Sequence, residues 1–554
     1  MSHRSRIAVL MVLAALAAVA LAVFLRPAPQ PPLPRITLAG LSRDEGCLSC
    51  HASTRGLGGA HDAMGCSPCH LGNPNARDAM AAHAGMELLS GDFATVDRTC
   101  GQGACHAVET ARVRTSLMAR APGILAVDRF AFGERKTPHR EPSDDLSSLD
   151  PNAAPKTPAE SHVRKLCAGC HLGARKPRPG DLGDDARGGG CTACHLAPPV
   201  TSKKSGPLHP EVSATVPERR CAGCHGRSGR ITMSFHGVVE IEPGDPRVTG
   251  KTADGRPTAK IAADVHAVAG MTCIDCHVER ELMGSGTPHL HAHEALEVRC
   301  ADCHSKLVNV PPSDPDREQV AEVLRRSWAR RNLPALSLTP LYTKNATPLV
   351  RTDAVSHSLV LSTDGARKTI PLATDKPWHT LRGHERLSCQ SCHATWAPRC
   401  RSCHTSFDPQ GTDVDHLSGK ATPGHWTETA GGNGFGPPLL ALGPRGAIEP
   451  FVEGMQMTLV VGGTTKERTL FAPLDPHTTG RSRACASCHQ KLEETYPTIG
   501  ELTRLGARLL DPVERARIAR VGSCLPCHAS YEDEIYVDFA ASLSRQTKQC
   551  KTVK

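Results

Sequence analysis

Apolar positions form one long uninterrupted run near the start of the chain. This run, Ile7–Leu25, follows the basic residues Arg4 and Arg6. Nineteen residues of helix extend about 28 Å, close to the thickness of a bilayer core. We therefore predict a signal-anchor or transmembrane segment over residues 1–26. An uncleaved anchor is favoured over a removed signal because the run exceeds the usual signal core, and either form places the remaining chain outside the cytoplasm.

Elsewhere the apolar positions come in short segments separated by glycine and proline. Pro27–Pro34 predicts a stiff, extended spacer within residues 27–46. Gln319–Arg331 has the periodicity of a helix. Two hairpins are predicted where short alternating runs flank a glycine-containing turn. Their strands and turns are Ser358–Leu361 and Thr369–Leu372 around Asp364-Gly365, and Met457–Val461 and Arg468–Phe471 around Gly462-Gly463.

The composition argues against a chain ordered by its own apolar core. Hydrophobic residues make up 39% of the 554 residues and aromatic residues only 3%, while glycine and proline number 49 and 44. Yet the chain has 25 Cys and 29 His. An ordinary soluble α/β enzyme would carry more large apolar side chains, and a disordered chain would not need the cysteines. Another component must therefore order the fold.

The cysteines recur in one pattern. Eleven copies of Cys-x-x-Cys-His and one variant with four residues between the cysteines use 24 of the 25 cysteines. We number them in chain order. Motifs 1 to 12 are Cys47/Cys50/His51, Cys66/Cys69/His70, Cys100/Cys105/His106, Cys167/Cys170/His171, Cys191/Cys194/His195, Cys221/Cys224/His225, Cys273/Cys276/His277, Cys300/Cys303/His304, Cys389/Cys392/His393, Cys400/Cys403/His404, Cys485/Cys488/His489 and Cys524/Cys527/His528.

This spacing has a chemical reason. Two thiols one short turn apart can add to the two vinyl groups of one haem, and the adjacent histidine then lies under the porphyrin as the proximal iron ligand. Structural zinc sites also use Cys-x-x-Cys but do not require a histidine directly after it. Redox dithiols or disulfides would not explain twelve such histidines. We therefore predict about twelve covalently attached c-type haems and their iron, and Cys550 as a free thiol.

With these motifs, which cover residues 47–528, the sequence resembles the multihaem c-type cytochromes of bacterial periplasmic and extracellular electron transfer. The resemblance implies electron transfer along closely spaced haems. The fold class we expect is a multihaem cytochrome c with a haem core. Short α-helices that carry the motifs and irregular loops would surround that core, with small β-hairpin segments in the haem-free gaps.

The sixth iron ligand decides between an electron carrier and a catalyst, because only an open position admits a substrate. Apart from His3 in the targeting segment, sixteen histidines lie outside the motifs. Five of them recur five or seven residues before a motif: His61, His162, His266, His293 and His384. The full set of candidate distal ligands is His61, His83, His162, His236, His266, His289, His293, His357, His384, His416, His425 and His477, with His139, His209, His291 and His379 in reserve.

Methionine and an open site are the alternatives. Met80, Met86, Met233 and Met283 could compete as ligands, although methionine is more often core filler. The chain lacks Cys-x-x-Cys-Lys, which marks the catalytic haem of cytochrome c nitrite reductases, and none of its four tyrosines lies in a motif. Electron transfer is therefore favoured, with no catalytic residues assigned. A multihaem reductase or oxidase of a small sulfur, nitrogen or metal oxyanion at one open haem remains the alternative.

The spacing of the motifs divides the chain. After the N-terminal segment and the spacer, the predicted divisions are 47–106 (haems 1–3), 107–160 (linker or loop), 161–304 (haems 4–8), 305–383 (haem-free, with helix and hairpin), 384–404 (haems 9–10), 405–484 (haem-free, containing β-structure), 485–530 (haems 11–12) and 531–554 (basic tail).

The net charge of +9 does not indicate nucleic-acid binding, because the haem propionates must be counted. Twelve ferric haems would bring the total to roughly −3. The expected partners are redox proteins, such as a quinol-linked donor or other cytochromes, together with the membrane through the N-terminal segment. Assembly into a larger electron conduit is a further expectation. The expected location is the periplasmic side of the inner membrane, or the periplasm or outer surface if the signal is cleaved.

Overall fold

The computed structural model describes residues 3–24, 31–38, 41–305 and 352–544, apart from short gaps in the last two ranges. The gaps are 53, 55–60, 62–63, 104, 184–185, 199–208, 228–229, 354–357, 362, 374–376, 401–402, 431–432, 462–463, 474 and 529–532. The predicted helix Gln319–Arg331, the candidate ligand His357 and Cys550 lie outside the described residues.

Helices are short and numerous, and several of the four- and five-residue ones hold a motif. In chain order α1 to α21 are His3–Phe24, Cys47–Cys50, Ser67–His70, Ala79–His83, Ala107–Val113, Leu117–Arg120, Pro122–Ala131, Pro158–His162, Thr192–His195, Arg219–His225, Ile231–Phe235, Val265–Val268, Cys273–Cys276, Glu279–Leu282, Ala292–Ala295, Cys300–His304, Cys389–His393, Cys485–His489, Leu492–Thr495, Pro512–Gly522 and Phe539–Ser544. Single 3₁₀ or π turns occupy Val96–Arg98, Leu146–Ser148, Val163–Cys167, Ala168–Cys170, Pro377–Thr380 and Glu534–Tyr536.

Strands are concentrated late in the chain. In chain order β1 to β18 are Arg35–Leu38, Leu41–Asp44, Leu196–Ala197, Glu211–Val212, Val238–Glu240, Gly250–Lys251, Pro257–Lys260, Thr352–Asp353, Ser358–Val360, Arg367–Thr369, Ala397–Cys400, Cys403–Asp415, Lys420–Ala430, Asn433–Gly436, Leu439–Leu442, Ile448–Val461, Thr464–Pro473 and Glu501–Leu502.

The N-terminal helix α1 follows the long apolar run. Its described apolar side chains, including Leu10, Leu16 and Phe24, are exposed. Within the described part of the chain, no helix meets the length and hydropathy of a membrane span. Downstream, β1 and β2 pair antiparallel, with Leu38 opposite Leu41. A hairpin therefore occupies part of the segment that we expected to be an extended spacer.

Both predicted hairpins are present. β9 pairs with β10 across the turn at Asp364-Gly365, where Gly365 has φ +76°. β16 and β17 pair with Val461 opposite Thr464. The second hairpin belongs to a six-stranded sheet in which β12 runs parallel to β16 and antiparallel to β13. The β-structure in 405–484 is therefore larger than the small hairpins expected there.

Residues 107–160 are not the linker that the polar sequence predicted. They contain α5, α6, α7 and the start of α8, and Leu125 and Leu146 are fully buried with Val163. The apolar face of α7 supplies part of this cluster. The prediction of a linker, which used only the proline, aspartate and serine content, did not take this face into account. Residues 107–160 therefore form short helices that pack against Val163 and Cys167 at the start of motif 4.

Apolar packing is divided among six small clusters, each containing three to five buried residues. One surrounds Met271 and Leu361, and includes Cys276 and Cys303 at its edge. Another joins Phe451 and Phe471 across the sheet. No cluster among the described residues is large enough to serve as a single core, whereas an ordinary domain is built around one.

Candidate haem-attachment and iron-ligand sites

Five motifs share the same backbone turn, and a sixth, motif 3, closes the same bond across a longer loop. The histidine N–H donates to the carbonyl of the first cysteine, so that the two cysteines and the histidine project from one turn. This bond measures 2.8 to 3.0 Å: His51 to Cys47, His70 to Cys66, His106 to Cys100, His195 to Cys191, His277 to Cys273 and His528 to Cys524. In motif 3 this bond spans six residues, because four residues instead of two separate the cysteines.

The second cysteines of motifs 2 and 3, Cys69 and Cys105, are held differently. Cys69 lies within α3, is partly buried, and donates its N–H to Cys66 O at 3.2 Å. Cys105 is exposed and lies before α5, and its N–H donates to Gln102 O at 3.0 Å.

Motif 3 is therefore carried by a loop and not by one of the short helices. Four residues between its cysteines exceed one helical turn, so Cys105 is reached through a loop. The backbone bonds at Cys69 and Cys105 position the two residues near their motif histidines but do not test a thioether bond. Haem attachment at Cys69 and Cys105 stays a prediction from the motif.

Motifs 4 and 10 depart from the shared turn. Cys167 ends a π turn, and the His171 N–H donates to Ala168 rather than to Cys167. In motif 10, Cys400 ends β11 and Cys403 begins β12, where His404 pairs with Thr429 and Thr458 of the neighbouring strands. The backbone around the described residues of motif 10 is therefore extended, not helical.

Seven motif histidines face a histidine from outside the motifs. Their ring centroids lie 5.8 to 6.3 Å apart. The pairs are His51–His83 (6.2 Å), His106–His61 (6.3 Å), His70–His209 (5.9 Å), His304–His266 (6.0 Å), His277–His477 (5.8 Å), His393–His379 (6.0 Å) and His489–His384 (6.0 Å).

These separations fit one iron between two imidazoles. Two metal–nitrogen bonds of about 2.0 Å and two five-membered rings with edges of about 1.35 Å put the centroids about 6.3 Å apart when the ligands are opposite. The observed values fall within 0.5 Å of this distance. The chain therefore holds seven histidine pairs at a spacing that suits bis-histidine ligation.

Hydrogen bonds at Nδ1 leave Nε2 as the ring nitrogen that is available to a metal. Metal-bound histidines usually use their second ring nitrogen in this way, which sets the ring orientation. Seven motif histidines have such a partner within 3.0 Å. These contacts are His70 to Glu87 O, His195 to Ser213 O, His277 to Glu281 Oε1, His304 to Pro371 O, His393 to Gly480 O, His489 to Ile518 O and His528 to Asp533 Oδ2.

Four of the seven non-motif partners show the same arrangement, whereas the Nδ1 of His384 is buried without a hydrogen-bond partner. Nδ1 contacts Pro210 O in His209, Asp264 Oδ1 in His266, Ala373 O in His379 and Asp475 O in His477, at 2.6 to 2.9 Å. In those four pairs, both rings therefore leave only Nε2 for a metal. The electrostatics vary between pairs. Burial lowers the pKa of His304 and of His489, whereas the Glu281 carboxylate raises the pKa of His277 against the effect of burial.

A histidine just before one motif usually faces the histidine of another. His61, five residues before motif 2, faces motif 3, and His384, five before motif 9, faces motif 11. His266, before motif 7, faces motif 8, and His477, before motif 11, faces motif 7. Three of the five histidines selected by the repeated spacing therefore face the histidine of another motif.

Six candidate ligands are not placed against a motif histidine among the described residues. His236 contacts Glu218, His289 contacts Ser285, His293 stacks near His291, and His425 lies by Asp413. His416 faces the backbone of motif 4, since a Cβ on Gly169 would lie 3.1 Å from its Nε2. These residues retain no geometric support as ligands here.

The sixth of them, His162, lies in a buried group beside motif 4. Its Nδ1 contacts Asp128 at 2.6 Å, its Nε2 is buried with no hydrogen-bond partner, and Trp426 packs against its ring at 5.1 Å. The ligand atoms of Asp128, His162 and Cys167 lie within 4.8 Å of one another. The charge of Asp128 raises the pKa of His162 although burial opposes it.

Two pairing histidines were held only in reserve by the sequence reading. His209 and His379 lie twelve and ten residues before a motif, and neither distance repeats elsewhere. What could have indicated His379 is the number of histidines before motif 9. His379 and His384 both precede motif 9, so one of them is available to a different motif.

The motifs also contact one another through their thiols. Hydrogen bonds join Cys170 to Cys224, Cys221 to Cys273, and Cys300 to Cys389. They place motif 6 beside motifs 4 and 7, and motif 8 beside motif 9. The contact with Cys224 lowers the pKa of Cys170 to about 6, and the contact with Cys300 lowers that of Cys389 to about 6.

Other contacts extend this series of neighbours. The carboxylate of Glu45 accepts a hydrogen bond from the Ser67 hydroxyl of motif 2. Burial raises the pKa of Cys47 of motif 1, and Glu45 raises it further. Gln102 of motif 3 donates to Pro68 of motif 2 at 2.7 Å. Cys276 and Cys303 share one apolar cluster. The remaining links join Arg187, just before motif 5, to Gly223 of motif 6, and Arg483, just before motif 11, to Cys392 of motif 9. Gln490, just after motif 11, contacts Gly522, just before motif 12.

Comparison with known proteins adds no name to these sites: no family model, no curated protein sequence and no solved structure matches the chain. The assignment therefore depends on the motifs and their geometry.

Proposed function

We propose that this protein transfers electrons through about twelve covalently bound c-type haems, between membrane or periplasmic donors and an outer or terminal acceptor. The observation that carries the proposal is the set of seven motif histidines, each facing a second histidine at 5.8 to 6.3 Å. A disulfide framework would give no reason for such pairs, and two histidines on one tetrahedral zinc would bring the ring centroids to about 5.2 Å, closer than any of the seven pairs.

The residues of the chain would have three tasks. The paired cysteines would attach the haem covalently, and the motif histidine together with its facing histidine would hold the iron. Carbonyl and carboxylate partners at Nδ1 hold the rings in place. The haem supplies one-electron redox chemistry, tuned by its ligands and surroundings. A closed sixth position favours electron transfer over substrate binding.

The contacts between motifs support passage over a distance. One series of contacts joins motifs 1, 2 and 3. A second series runs through motifs 5, 6, 7, 8 and 9 and continues to motifs 11 and 12. Motif 4 contacts this second series at motif 6. Cys50 in motif 1 and Cys527 in motif 12 are exposed. Redox partners, a quinol-linked donor or another cytochrome, could therefore approach either end. Attachment to the membrane through residues 1–26 and assembly into a larger conduit are part of the same proposal.

A second candidate is reduction or oxidation of a small sulfur, nitrogen or metal oxyanion at one open haem, and motif 4 is the position that favours it. Unlike the seven motif histidines with a partner at Nδ1, His171 uses Nε2 to contact the carbonyl of Ala119, while its Nδ1 is buried with no hydrogen-bond partner. Among the described histidines, none faces its ring as in the seven pairs.

Low-temperature EPR with resonance Raman on the purified ferric protein, at known haem content, tests both candidates. The proposal expects about twelve haems, with the seven paired sites low-spin. A high-spin haem that shifts when sulfite, nitrite or cyanide is added would favour the second candidate. A chain purified from a cytochrome c-maturing host without covalent haem would overturn both.

A further inference from the structure

Residues 90–92 lie between motifs 3 and 5. The Sγ of Cys100 in motif 3 lies 3.8 Å from Ser90 O, and the N–H of Cys191 in motif 5 donates to Gly91 O at 3.0 Å. The series of contacts through motifs 1, 2 and 3 therefore meets, at this segment, the series that begins at motif 5. The ionisable side chain of the segment is Asp92.

The carboxyl group of Asp92 is buried without a close partner. Neither of its oxygens has a hydrogen-bond partner. The Nε of Arg175 lies 3.5 Å from Oδ2, on a side chain that is 43% exposed. A charge-assisted hydrogen bond is shorter, at about 2.7–2.9 Å, and a solvated cation holds an anion only weakly. Burial therefore favours the protonated form of this carboxyl, while Arg175 keeps the ionised form accessible.

Lys176 is the second cationic group beside Asp92. It is itself buried, and its Nζ donates to Ala186 O at 3.2 Å. Burial raises the pKa of Asp92 to about 6, although Arg175 and Lys176 lower it. Asp92 can therefore gain or lose a proton near this pH. Further charged side chains on the neighbouring segments are paired: Asp97 with Arg114, Arg98 with Glu87, and Asp181 with Arg178.

Asp92 also lies against motif 5. A Cβ on Gly189 would lie 3.2 Å from Asp92 Oδ1, 3.2 Å from Lys176 Cβ and 2.7 Å from Thr192 Oγ1. The three side chains therefore surround the same point, and the glycine leaves room for them. Thr192 stands between the two cysteines of motif 5. A change of charge on a haem held there would act on the Asp92 carboxyl over a short distance, through surroundings of low dielectric constant.

We propose that Asp92 is a redox-linked proton site, which takes up a proton from solvent when the haem of motif 5 accepts an electron. This inference rests on the proposed function. The electron comes from a redox partner or, in the experiment, from dithionite, and it makes the haem more negative by one charge. The proton forms an O–H bond on Asp92 and restores the local charge, and oxidation releases both. Because the coupling is reciprocal, a proton on Asp92 also strengthens the binding of the electron.

The coupling gives the midpoint potential a pH dependence of fixed sign. At low pH the carboxyl of Asp92 is protonated in both redox states, and the potential does not change with pH. The potential falls as the pH rises through the range in which only the reduced protein keeps the proton. It is constant again where the carboxyl is ionised in both states. The fall should begin near pH 6, the pKa to which burial raises this carboxyl.

Redox titrations of the purified holoprotein between about pH 5 and pH 9 test the inference. In the wild type, the midpoint potential of one haem falls over this range. Asp92→Asn should abolish the fall and leave that haem at its higher, low-pH potential, whereas Asp92→Glu keeps the acid and should keep a fall. Asp97→Asn is the matched control, because Asp97 lies on the same segment but is exposed and paired with Arg114.

Arg175→Gln is a second, independent variant. It removes the exposed cation that lowers the pKa of Asp92, so the fall in potential should begin at a higher pH. Proton uptake, followed with a pH indicator in weakly buffered solution, should decrease by about one proton per molecule in Asp92→Asn when the protein is fully reduced within the range of the fall. A residue that only stabilises the fold would not change this number.

Two results would overturn the inference at full haem content. One is a set of wild-type potentials that do not change with pH in this range. The other is a fall that neither Asp92→Asn nor Arg175→Gln alters, since another group, such as a haem propionate, would then take up the proton. Failure of the proposed function would be seen separately, as missing haem in the wild type before any titration.

Discussion

At the scale of single residues, the motif determines the cysteines and one histidine, but the second histidine depends on long-range packing. The proximal set follows from Cys-x-x-Cys-His alone. The repeated spacing selected His61, His266 and His384, and all three face a motif histidine. The same spacing selected His162, which instead contacts Asp128, and His293, which instead lies beside His291. Local sequence therefore indicates a histidine held near a motif, while the tertiary fold decides which ring it meets.

Replacing a facing histidine should open one iron. In His384→Ala we expect one haem, the one on His489, to change from low-spin to high-spin, because the two rings face each other at 6.0 Å. His236→Ala is the control, since His236 lies by Glu218 at 3.1 Å and faces no motif histidine within the described chain. EPR of the ferric holoproteins measures both. An unchanged spectrum of His384→Ala at equal haem content would contradict the pairing.

A buried carboxyl gives a pH dependence of opposite sign to the usual acid effect. Asp92 is 2% exposed, and burial raises its pKa from 3.8 to about 6, although Arg175 lies 3.5 Å away. The pKa of Asp92 is higher in the folded state than in the unfolded state. Its contribution to stability is therefore greatest below the unfolded pKa and is lost as the pH rises through about 6. Asp92→Asn should therefore stabilise the holoprotein by about 1–2 kcal/mol near pH 8, and have little effect near pH 4.

The midpoint of thermal unfolding at the two pH values measures this difference. Asp245→Asn is the contrasting variant, since the partly buried Asp245 is paired at 2.6 Å with the exposed Arg247, and this pairing lowers the pKa of Asp245 to about 2. It should not gain stability at high pH. Equal unfolding midpoints for Asp92→Asn and wild type at both pH values would show that ionisation of Asp92 does not destabilise the protein.

At the scale of elements, the hairpins could be predicted because their turn residues are local in the sequence. Asp364-Gly365 and Gly462-Gly463 marked two hairpins, and both are present. The parallel pairing of β12 with β16 joins residues about fifty positions apart, and no local pattern specifies such a partner. The helices in 107–160 were missed because their short apolar faces lie between proline- and aspartate-rich turns.

A buried ion pair connects the sheet to motif 4. The Nε of Arg164 lies 2.7 Å from Asp415 at the end of β12, and both side chains are nearly inaccessible. Arg164 also contacts Glu160 and the carbonyl of Asp150. Arg164→Met should cost about 3–5 kcal/mol, because it leaves a buried carboxylate without its partner. The double variant Arg164→Met/Asp415→Asn should recover part of this loss.

Thermal unfolding of the holoprotein measures both effects, and Arg247→Met at the exposed pair with Asp245 serves as the control. An additive result, in which the double variant loses the sum of both single losses, would show that the pair does not couple these elements. If the sheet positions motif 4, the EPR signal of one haem should also broaden in Arg164→Met alone.

At the scale of the whole molecule, apolar packing is too divided to order the described chain. The six clusters contain three to five buried residues each, and the motif cysteines lie at the edges of several of them. Motif histidines such as His304 and His489 are partly buried against other histidines rather than against apolar side chains. The space between the histidine pairs is where a haem core would lie.

Cooperative folding should therefore require haem. We expect the holoprotein to unfold in a sharp thermal transition with strong near-ultraviolet circular dichroism. The same chain made without haem attachment should show neither, because burial of about three to five apolar side chains per cluster cannot offset the conformational entropy of the surrounding loops. Zinc added to the haem-free chain should not restore the transition, which separates a haem core from a zinc-ordered fold. A haem-free chain that keeps the full transition would show that the polypeptide carries its own core, and that the histidine pairs do not depend on iron.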